Sequence, residues 1–213
     1  MEDLNLKNLI VVDHPLIKRD MTILRKKSTD QYFFRSALHR IASVLGIEIS
    51  KEFDLSSFEI ETPLEKTTGY DFLQEVVLVP VLRAGLSMVN SFLEIFPEAR
   101  VGHIGIQRNE ITLEPVDYYY KTPDTINKSK VILLDPMLAT GGSGSAALSF
   151  LKKRGAAECI FACLVASPQG IIKINKDHPD VKIYSAVLDR GLNEKGYILP
   201  GLGDAGDRTF GTL

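Results

Sequence analysis

From residue 76 onward the sequence alternates short unbroken apolar runs with amphipathic stretches, and this alternation is what most restricts the possible folds. An apolar run without polar interruption is typical of a strand that is covered on both faces of its sheet. Repeated strand–helix–strand units of this kind predict an α/β fold with a parallel sheet between two layers of helices. The predicted strands are residues 76–81, 101–106, 131–134, 159–166 and 182–188.

Helices are predicted between these strands and in the N-terminal third. Residues 31–47 form the clearest case, because apolar side chains recur at intervals of three and four, at Phe34, Leu38, Ile41 and Leu45. Gly46 is a helix stop signal in this pattern. The other predicted helices are residues 16–27, 86–96, 143–154 (closed by Gly155) and one that starts at Ser167 and Pro168 and ends before Pro179.

The domain organisation predicted from length and composition is a single domain spanning residues 1–213. With 45% hydrophobic and 24% charged residues, the composition excludes collagen-like, low-complexity and disordered classes. Three regions differ in their pattern of apolar residues and glycines. Residues 1–72 are expected to be mainly helical, and residues 73–188 are expected to hold the sheet. The glycine-dense residues 189–213 are expected to be an irregular segment. A polar stretch at 107–130 predicts a hairpin or a flap.

Charge and hydropathy limit the partners that this chain is expected to have. The formal net charge is −2, which argues against a dominant electrostatic grip on nucleic acid or on an anionic membrane. No apolar run approaches the ~20 residues that a membrane-spanning helix needs, and the N-terminus lacks the pattern of a signal peptide. We therefore expect neither a nucleic-acid partner nor a membrane partner.

The cysteines and histidines indicate a reducing compartment and no metal site. Cys159 and Cys163 lie in one predicted strand, about 13 Å apart, which is too far for an undistorted disulfide. Reduced, buried thiols are the expected state, and they suit a cytoplasmic protein. The four histidines are scattered and show no metal-ligand spacing.

The segment 131–145, VILLDPMLATGGSGS, reads as a buried strand, an aspartate, a loop of small residues and the start of a helix. The backbone amides of such a loop can converge on a phosphate, and the dipole of the following helix favours the negative charge. Asp135, at the strand end, could accept hydrogen bonds from sugar hydroxyls. An ordinary strand-to-helix turn remains an equal alternative on the loop alone, and no P-loop or dinucleotide motif is matched.

This segment resembles the ribose-phosphate signature of type I phosphoribosyltransferases, and its form, DPMLATGGS, resembles the uracil phosphoribosyltransferase branch. Most type I relatives have two adjacent acidic residues after the strand. The second position here is Pro136, as in the uracil branch, so no role of a second carboxylate is carried over. The resemblance implies that 5-phospho-α-D-ribose 1-diphosphate (PRPP) is bound by Asp135, Pro136, Met137, Leu138, Ala139, Thr140, Gly141, Gly142 and Ser143.

Two arginine segments extend the resemblance. Residues 79–85, VPVLRAG, place Arg83 at a strand end, where the residues alone leave open a buried ion pair or an anion contact. The match to the family's diphosphate loop implies that Arg83 binds the diphosphate, for which a forked guanidinium is well suited. Residues 107–115, QRNEITLEP, resemble the family's RNEETLEP, with Ile111 replacing an acidic residue. Arg108 is then a second diphosphate contact, although a solvated arginine on a hairpin is the alternative.

The C-terminal segment 196–211, GYILPGLGDAGDRTFG, resembles the family's uracil-recognition hood. Backbone N–H and C=O groups can read the alternating edge of uracil without a titratable side chain, and cytosine would leave a buried donor unpaired, at a cost of about 1–3 kcal/mol. A disordered tail is the alternative, against which the large apolar residues of the segment argue. The resemblance implies uracil contacts at Ile198, Gly203, Asp204 and Ala205, with Asp204 also facing PRPP.

Together these matches imply the type I phosphoribosyltransferase fold, a Rossmann-like parallel sheet with a C-terminal hood and an N-terminal helical region. The implied activity is a pentosyltransferase reaction of pyrimidine salvage, in which uracil and PRPP give UMP and diphosphate. Arg83, Arg108 and Asp204 are the implied catalytic residues, and Mg²⁺ is implied as the Mg–PRPP complex. The family also implies a homo-oligomer, a dimer or tetramer, and in some members a GTP effector.

Two alternatives remain open at this point. One is an RNA-binding regulator of the same fold that senses UMP, which would need a basic face. The other is a phosphoribosyltransferase for a different base, against which the pentapeptide GDAGD at 203–207 argues.

Overall fold

The computed structural model describes residues 6–108 and 115–212, apart from the side chains of residues 107, 108 and 115–117. The strands are β1 (Leu9–Val11), β2 (Leu55–Glu61), β3 (Lys66–Phe72), β4 (Val76–Leu82), β5 (Arg100–Val101), β6 (His103–Arg108), β7 (Pro115–Lys121), β8 (Lys130–Leu134), β9 (Met137–Leu138), β10 (Glu158–Ala166), β11 (Lys182–Leu188), β12 (Gly191–Leu192) and β13 (Ile198–Leu199). The helices are α1 (Pro15–Arg25), α2 (Gln31–Ser50), α3 (Leu86–Ile95), α4 (Gly142–Lys153), α5 (Pro168–Asp177) and α6 (Ala205–Phe210), with a 3₁₀ helix at Asp124–Lys128.

The central sheet has the strand order β1-β11-β10-β8-β4-β6-β7, with β5 beside β4 and β9 beside β10. All pairings are parallel except that of β6 with β7. The chain runs from β4 to β6 on one side and from β8 to β10 and β11 on the other. The direction of winding therefore reverses between β4 and β8, and a crevice for ligands forms beyond the carboxyl ends of such a strand pair.

The core lies in two layers, one on each face of the sheet, as the unbroken apolar strands predict. Leu78 and Ile132 face one way and pack in one cluster with side chains of α1, α2 and α3. Val77 and Val131 face the other way and pack with side chains of α4 and α5. The predicted α/β fold with a parallel sheet covered on both faces is confirmed.

Helix α2 continues past its predicted stop. Gly46 lies inside the helix, which ends at Ser50, and a methyl group placed on Gly46 would approach Cγ1 of Ile95 to 3.2 Å. The glycine is thus used for close packing of α2 on α3 and not for a C-cap. Asp30 caps the start of α2 by accepting a hydrogen bond of 2.9 Å from the Phe33 amide.

Two further segments differ from the sequence-based expectation. Residues 55–72, in the third of the chain expected to be mainly helical, form the antiparallel hairpin β2–β3. Residues 189–212 are more regular than expected, because β12 pairs with β13 and α6 follows. The buried Cys159 and Cys163 are free thiols, as predicted, and burial raises the pKa of each, to about 11 and about 12. No helix in the described part of the chain combines the length and the apolar character needed to cross a bilayer.

Candidate active site

The sheet brings the predicted site segments to one edge. Arg83 follows β4 directly and Asp135 follows β8 directly, so both lie at the carboxyl ends of the two strands where the winding reverses. The predicted hood, residues 189–213, is described as far as Thr212 and covers the same edge. A methyl group placed on Gly196 would lie 3.6 Å from Cγ2 of Thr140, and one placed on Gly206 would lie 3.7 Å from Nη2 of Arg83.

The phosphate loop, residues 139–143, connects β9 to α4. Gly141 holds the N-cap position with φ of +78°, a left-handed conformation that side chains rarely adopt. A methyl group here would also lie 2.8 Å from the Gly170 carbonyl oxygen. The first-turn amides of α4 have no intrahelical acceptor, and the loop borders a small cavity of about 90 Å³ that is lined by Asp135 and residues 137–144. The arrangement suits one phosphate group.

The start of α5 holds this loop from behind. The Ser167 hydroxyl donates a hydrogen bond of 2.6 Å to the Ala139 carbonyl oxygen, and the Ser167 amide donates one of 2.9 Å to the Leu138 carbonyl oxygen. A methyl group on Gly170 would lie 2.6 Å from that same Ala139 oxygen. Sequence reasoning recognised Ser167 only as a helix cap, which it also is, since its hydroxyl accepts from the Gly170 amide at 3.1 Å. Its contact with the loop has no local signal.

Asp135 is the titratable group between the loop and the sheet. It is half-buried, and its carboxylate accepts a hydrogen bond of 3.2 Å from the Met137 amide. Burial raises the pKa of Asp135 to about 7, and the Met137 amide opposes this only in part. Among the described residues the Met137 amide is the one donor to this carboxylate, which leaves acceptor positions for hydroxyl groups of a ligand.

Arg83 lies between the sheet and the hood. Its guanidinium donates a hydrogen bond of 2.9 Å to Oδ1 of Asp207 and one of 3.3 Å to the Thr212 hydroxyl. The Thr212 hydroxyl and the Arg83 guanidinium hold the pKa of Asp207 below its ordinary value. The Arg83 side chain remains 57% exposed. Arg83 therefore forms an ion pair that is not buried, and its contact with an anion stays a prediction.

The hood encloses a second cavity of about 230 Å³ beside the phosphate loop. This volume is below the roughly 300–1,000 Å³ of pockets for drug-sized ligands, and it suits a single small ring. Asp204 borders the cavity and caps α6, accepting a hydrogen bond of 2.8 Å from the Asp207 amide. The lining residues are Ala84, Met137, Ala139, Gly196, Tyr197, Ile198, Gly203, Asp204, Ala205 and Gly206.

The structure thus brings together most of the residues that the sequence selects. All four predicted uracil contacts line the larger cavity, and the predicted PRPP residues from 137 to 143, together with Asp135, line the smaller one. Pro136 lies between them in the chain and its carbonyl accepts from the Leu164 amide. Arg108 ends β6, but its side chain lies outside the described residues, so its predicted contact stays a prediction. Ala84, Tyr197 and Asp207 lie inside the selected segments 79–85 and 196–211, but sequence reasoning assigned them no contact.

Comparison with known proteins finds the family that the sequence motifs resemble, and the match covers nearly the whole chain. A sequence profile of the uracil phosphoribosyltransferase family matches residues 11–212. The uracil phosphoribosyltransferase of Salinibacter ruber is 52% identical over 207 residues, which cover 97% of this chain and 99% of that protein. The uracil phosphoribosyltransferase of Streptococcus mutans serotype c is 51% identical over 203 residues, covering 95% and 97%.

Solved structures share the fold. The AQ2163 protein from Aquifex aeolicus superposes with a TM-score of 0.89 at 37% identity, covering 95% of this chain and 97% of that one. A hypoxanthine-guanine phosphoribosyltransferase from Bacillus anthracis reaches a TM-score of 0.51 at 12% identity over 75% of this chain and 80% of its own, which shows the common fold alone. The fold is that of type I phosphoribosyltransferases, and the chain belongs to the uracil phosphoribosyltransferase family.

Proposed function

We propose that this protein transfers the phosphoribosyl group of PRPP to N1 of uracil and releases UMP and diphosphate. The observation that carries the proposal is the pair of adjoining cavities at the carboxyl ends of β4 and β8. The smaller one is lined by Asp135 and residues 137–144, and the larger one mostly by the hood. Relatives at 50% identity and above bear the corresponding name. The RNA-binding alternative is not supported by any of these comparisons.

In this proposal the phosphate loop binds the 5′-phosphate of PRPP. The amides of residues 139–143 and the positive end of α4 attract the dianion. Asp135, in its ionised form, accepts hydrogen bonds from the ribose hydroxyls. These contacts fix the sugar, so that its anomeric carbon faces the larger cavity, where the base binds.

Arg83 and Arg108 are the proposed cations for the leaving diphosphate. Arg83 engages Asp207 and Thr212 through two of its nitrogens, and its exposed guanidinium has further N–H groups for the diphosphate. The N1–C1′ bond forms as the bond from C1′ to the diphosphate oxygen breaks, and the proton of N1 is released to solvent or to a diphosphate oxygen. Positive side chains at the leaving group stabilise the negative charge that grows there in the transition state.

Mg²⁺ is proposed to arrive as part of the substrate. Among the described residues no three carboxylate, imidazole or thiol groups come together as a ligand set, and the hard oxygens of a diphosphate are ligands that this ion prefers. Asp204 borders the larger cavity, which supports it as the proposed carboxylate contact of the complex. The ion adds positive charge to the leaving group when it is bound.

The hood is proposed to recognise uracil through its main chain. The cavity residues Ile198, Gly203, Asp204 and Ala205 offer backbone N–H and C=O groups to the alternating edge of the base. The assay that tests the proposal incubates the protein with labelled PRPP, Mg²⁺ and one base at a time. Nucleotide formation with uracil, and not with cytosine, hypoxanthine or guanine, is expected. Product with a purine and none with uracil would overturn the proposal.

We also propose that the protein acts in the cytoplasm as a homo-oligomer, with GTP as a candidate effector. Free, buried thiols support a reducing compartment. The hairpin β2–β3 supports self-association, because it carries exposed apolar side chains, among them Phe58, Leu64 and Tyr70. Sedimentation velocity tests the oligomer, and a monomer at all concentrations would exclude it. Sedimentation and activity measured with and without GTP test the effector, and no change in either would exclude it.

A further inference from the structure

The C-terminal end of α1 is joined to the start of the hood by a bidentate ion pair. Nη2 of Arg25 lies 2.7 Å from Oδ1 of Asp189, and Nη1 of Arg25 lies 3.0 Å from Oδ2. The Asp189 side chain is 5% exposed, and its own amide is fixed to the Ala166 carbonyl at the end of β10. The pair therefore links a helix near the N-terminus to the end of a central strand, across 164 positions of sequence.

This pair holds both main-chain groups of one residue in the hood. Gly201 donates its amide to Oδ2 of Asp189 at 2.8 Å, and its carbonyl accepts from Nη1 of Arg25 at 3.2 Å. Gly201 has φ of +60°, and a methyl group there would collide with the Ile198 carbonyl oxygen. Both main-chain polar groups of Gly201 are thus held by the ion pair, and only glycine fits at this position.

Gly201 stands in the middle of the base-recognition turn, residues 198–205. Ile198 and Gly203, three residues before it and two after it, line the 230 Å³ cavity, whereas neither Arg25 nor Asp189 does. The pair can affect the base only through the backbone that it holds. Because hydrogen-bond recognition by main-chain groups depends on their position to a fraction of an ångström, a shift at Gly201 would misplace the donors and acceptors for the base.

A second arginine ties the same two regions together. Arg208 of α6 donates hydrogen bonds to the carbonyl oxygens of Leu24 and Leu202 and one of 2.8 Å to that of Lys26. Carbonyls at a helix C-terminus lack intrahelical donors, so Arg208 satisfies the end of α1 while it holds the turn. The end of α1 thus serves as an anchor for the hood on two independent contacts.

We infer that Arg25 and Asp189 are a positioning pair for base recognition: through Gly201 they set the base-recognition turn, so they control the use of uracil much more strongly than the use of PRPP. The inference rests on the proposed function. The contacts to the phosphate loop come from α5, through Ser167, and are not shared with this pair.

The test replaces Arg25 by Met and measures steady-state kinetics with each substrate in turn. The matched control is Arg40→Met, because Arg40 also makes a bidentate pair with a buried aspartate, Asp20 of α1, at 2.6 and 3.0 Å, and lines neither cavity of the site. Arg25→Met should raise the KM for uracil at least tenfold and the KM for PRPP less than threefold. Arg40→Met should leave the ratio of the two KM values unchanged.

A conservative variant keeps the test decisive if Arg25→Met does not fold. Arg25→Lys retains the charge but not the fork, so its uracil KM should rise three- to tenfold, with the PRPP KM again nearly constant. Equal changes in the two KM values would overturn the inference, and so would a ratio of the two KM values equal to that of Arg40→Met. In either case, wild-type activity with uracil would still uphold the proposed function. A wild-type protein that makes no UMP would overturn both.

Discussion

The phosphate loop and the base-recognition turn line adjoining cavities, but the protein holds them in different ways. The loop is supported by its neighbours in the βα framework: β9 precedes it, α4 follows it, and Ser167 at the start of α5 binds its carbonyl. The turn is supported by Asp189 and by the side chain of Arg25 in α1, which lies 176 positions away from Gly201. The difference teaches that sugar-phosphate binding is built into the sheet, whereas base recognition depends on long-range contacts.

The largest expected effect is at Arg83, where the two regions meet. Arg83→Ala should lower kcat/KM by about 10²–10³, the loss typical when a group that stabilises transition-state charge is removed. Arg100→Ala is the matched control, because Arg100 is also 57% exposed and paired with a carboxylate, Glu75, but lies away from the site. Both variants should melt close to the wild type. Equal kinetics for the two variants would remove Arg83 from the reaction.

Gly203→Val tests the turn alone. Gly203 has φ of +84° and lines the cavity proposed for the base, so a valine there is strained and fills part of that cavity. The uracil KM should therefore rise about 10–100-fold while PRPP binding persists. Gly155→Val is the control, because Gly155 has φ of +102° at the end of α4, outside both cavities. Similar kinetic losses in both variants would mean that general strain, and not base recognition, is responsible.

Ser167→Ala tests the support of the phosphate loop. Loss of its hydrogen bond to Ala139 leaves a carbonyl without its donor, which costs about 1–3 kcal/mol if it stays buried. The PRPP KM should rise about three- to tenfold, and the uracil KM should change little. Ser129→Ala is the control, since the buried Ser129 hydroxyl donates to the Thr125 carbonyl at 2.9 Å, at the opposite end of β8. A larger effect on uracil than on PRPP would contradict the separation of the two regions.

The position of the phosphate loop can be predicted from the sequence, but the contacts that hold the base-recognition turn cannot. The strand, aspartate and glycine pattern of residues 131–145 is local, so its place at the carboxyl end of β8 follows from α/β geometry alone. Residues of the turn were recognised by resemblance, but nothing near Arg25 or Arg208 in the sequence indicates which carbonyls they bind. Gly46 shows the same limit, because a local stop signal was overridden by packing of α2 on Ile95.

The smallest expected effect is on stability at Asp135. The folded-state pKa of this carboxyl is raised to about 7, so between about pH 4 and pH 7 the folded state binds more protons than the unfolded state and stability falls as pH rises. Asp135→Asn removes this penalty. Its Tm should exceed that of the wild type by a few degrees at pH 8, at about 2–4 °C per kcal/mol, and by less at pH 5. A pH-independent difference would show that the carboxyl titrates normally.

The central claim is that one nucleotide occupies both cavities at once, and a crystal structure of the protein with UMP tests it most directly. The phosphate of UMP should accept hydrogen bonds from the amides of residues 139–143, and the uracil ring should contact the main chain between Ile198 and Ala205. A nucleotide bound elsewhere, or one whose base lies outside the hood while its phosphate fills the loop, would contradict the account.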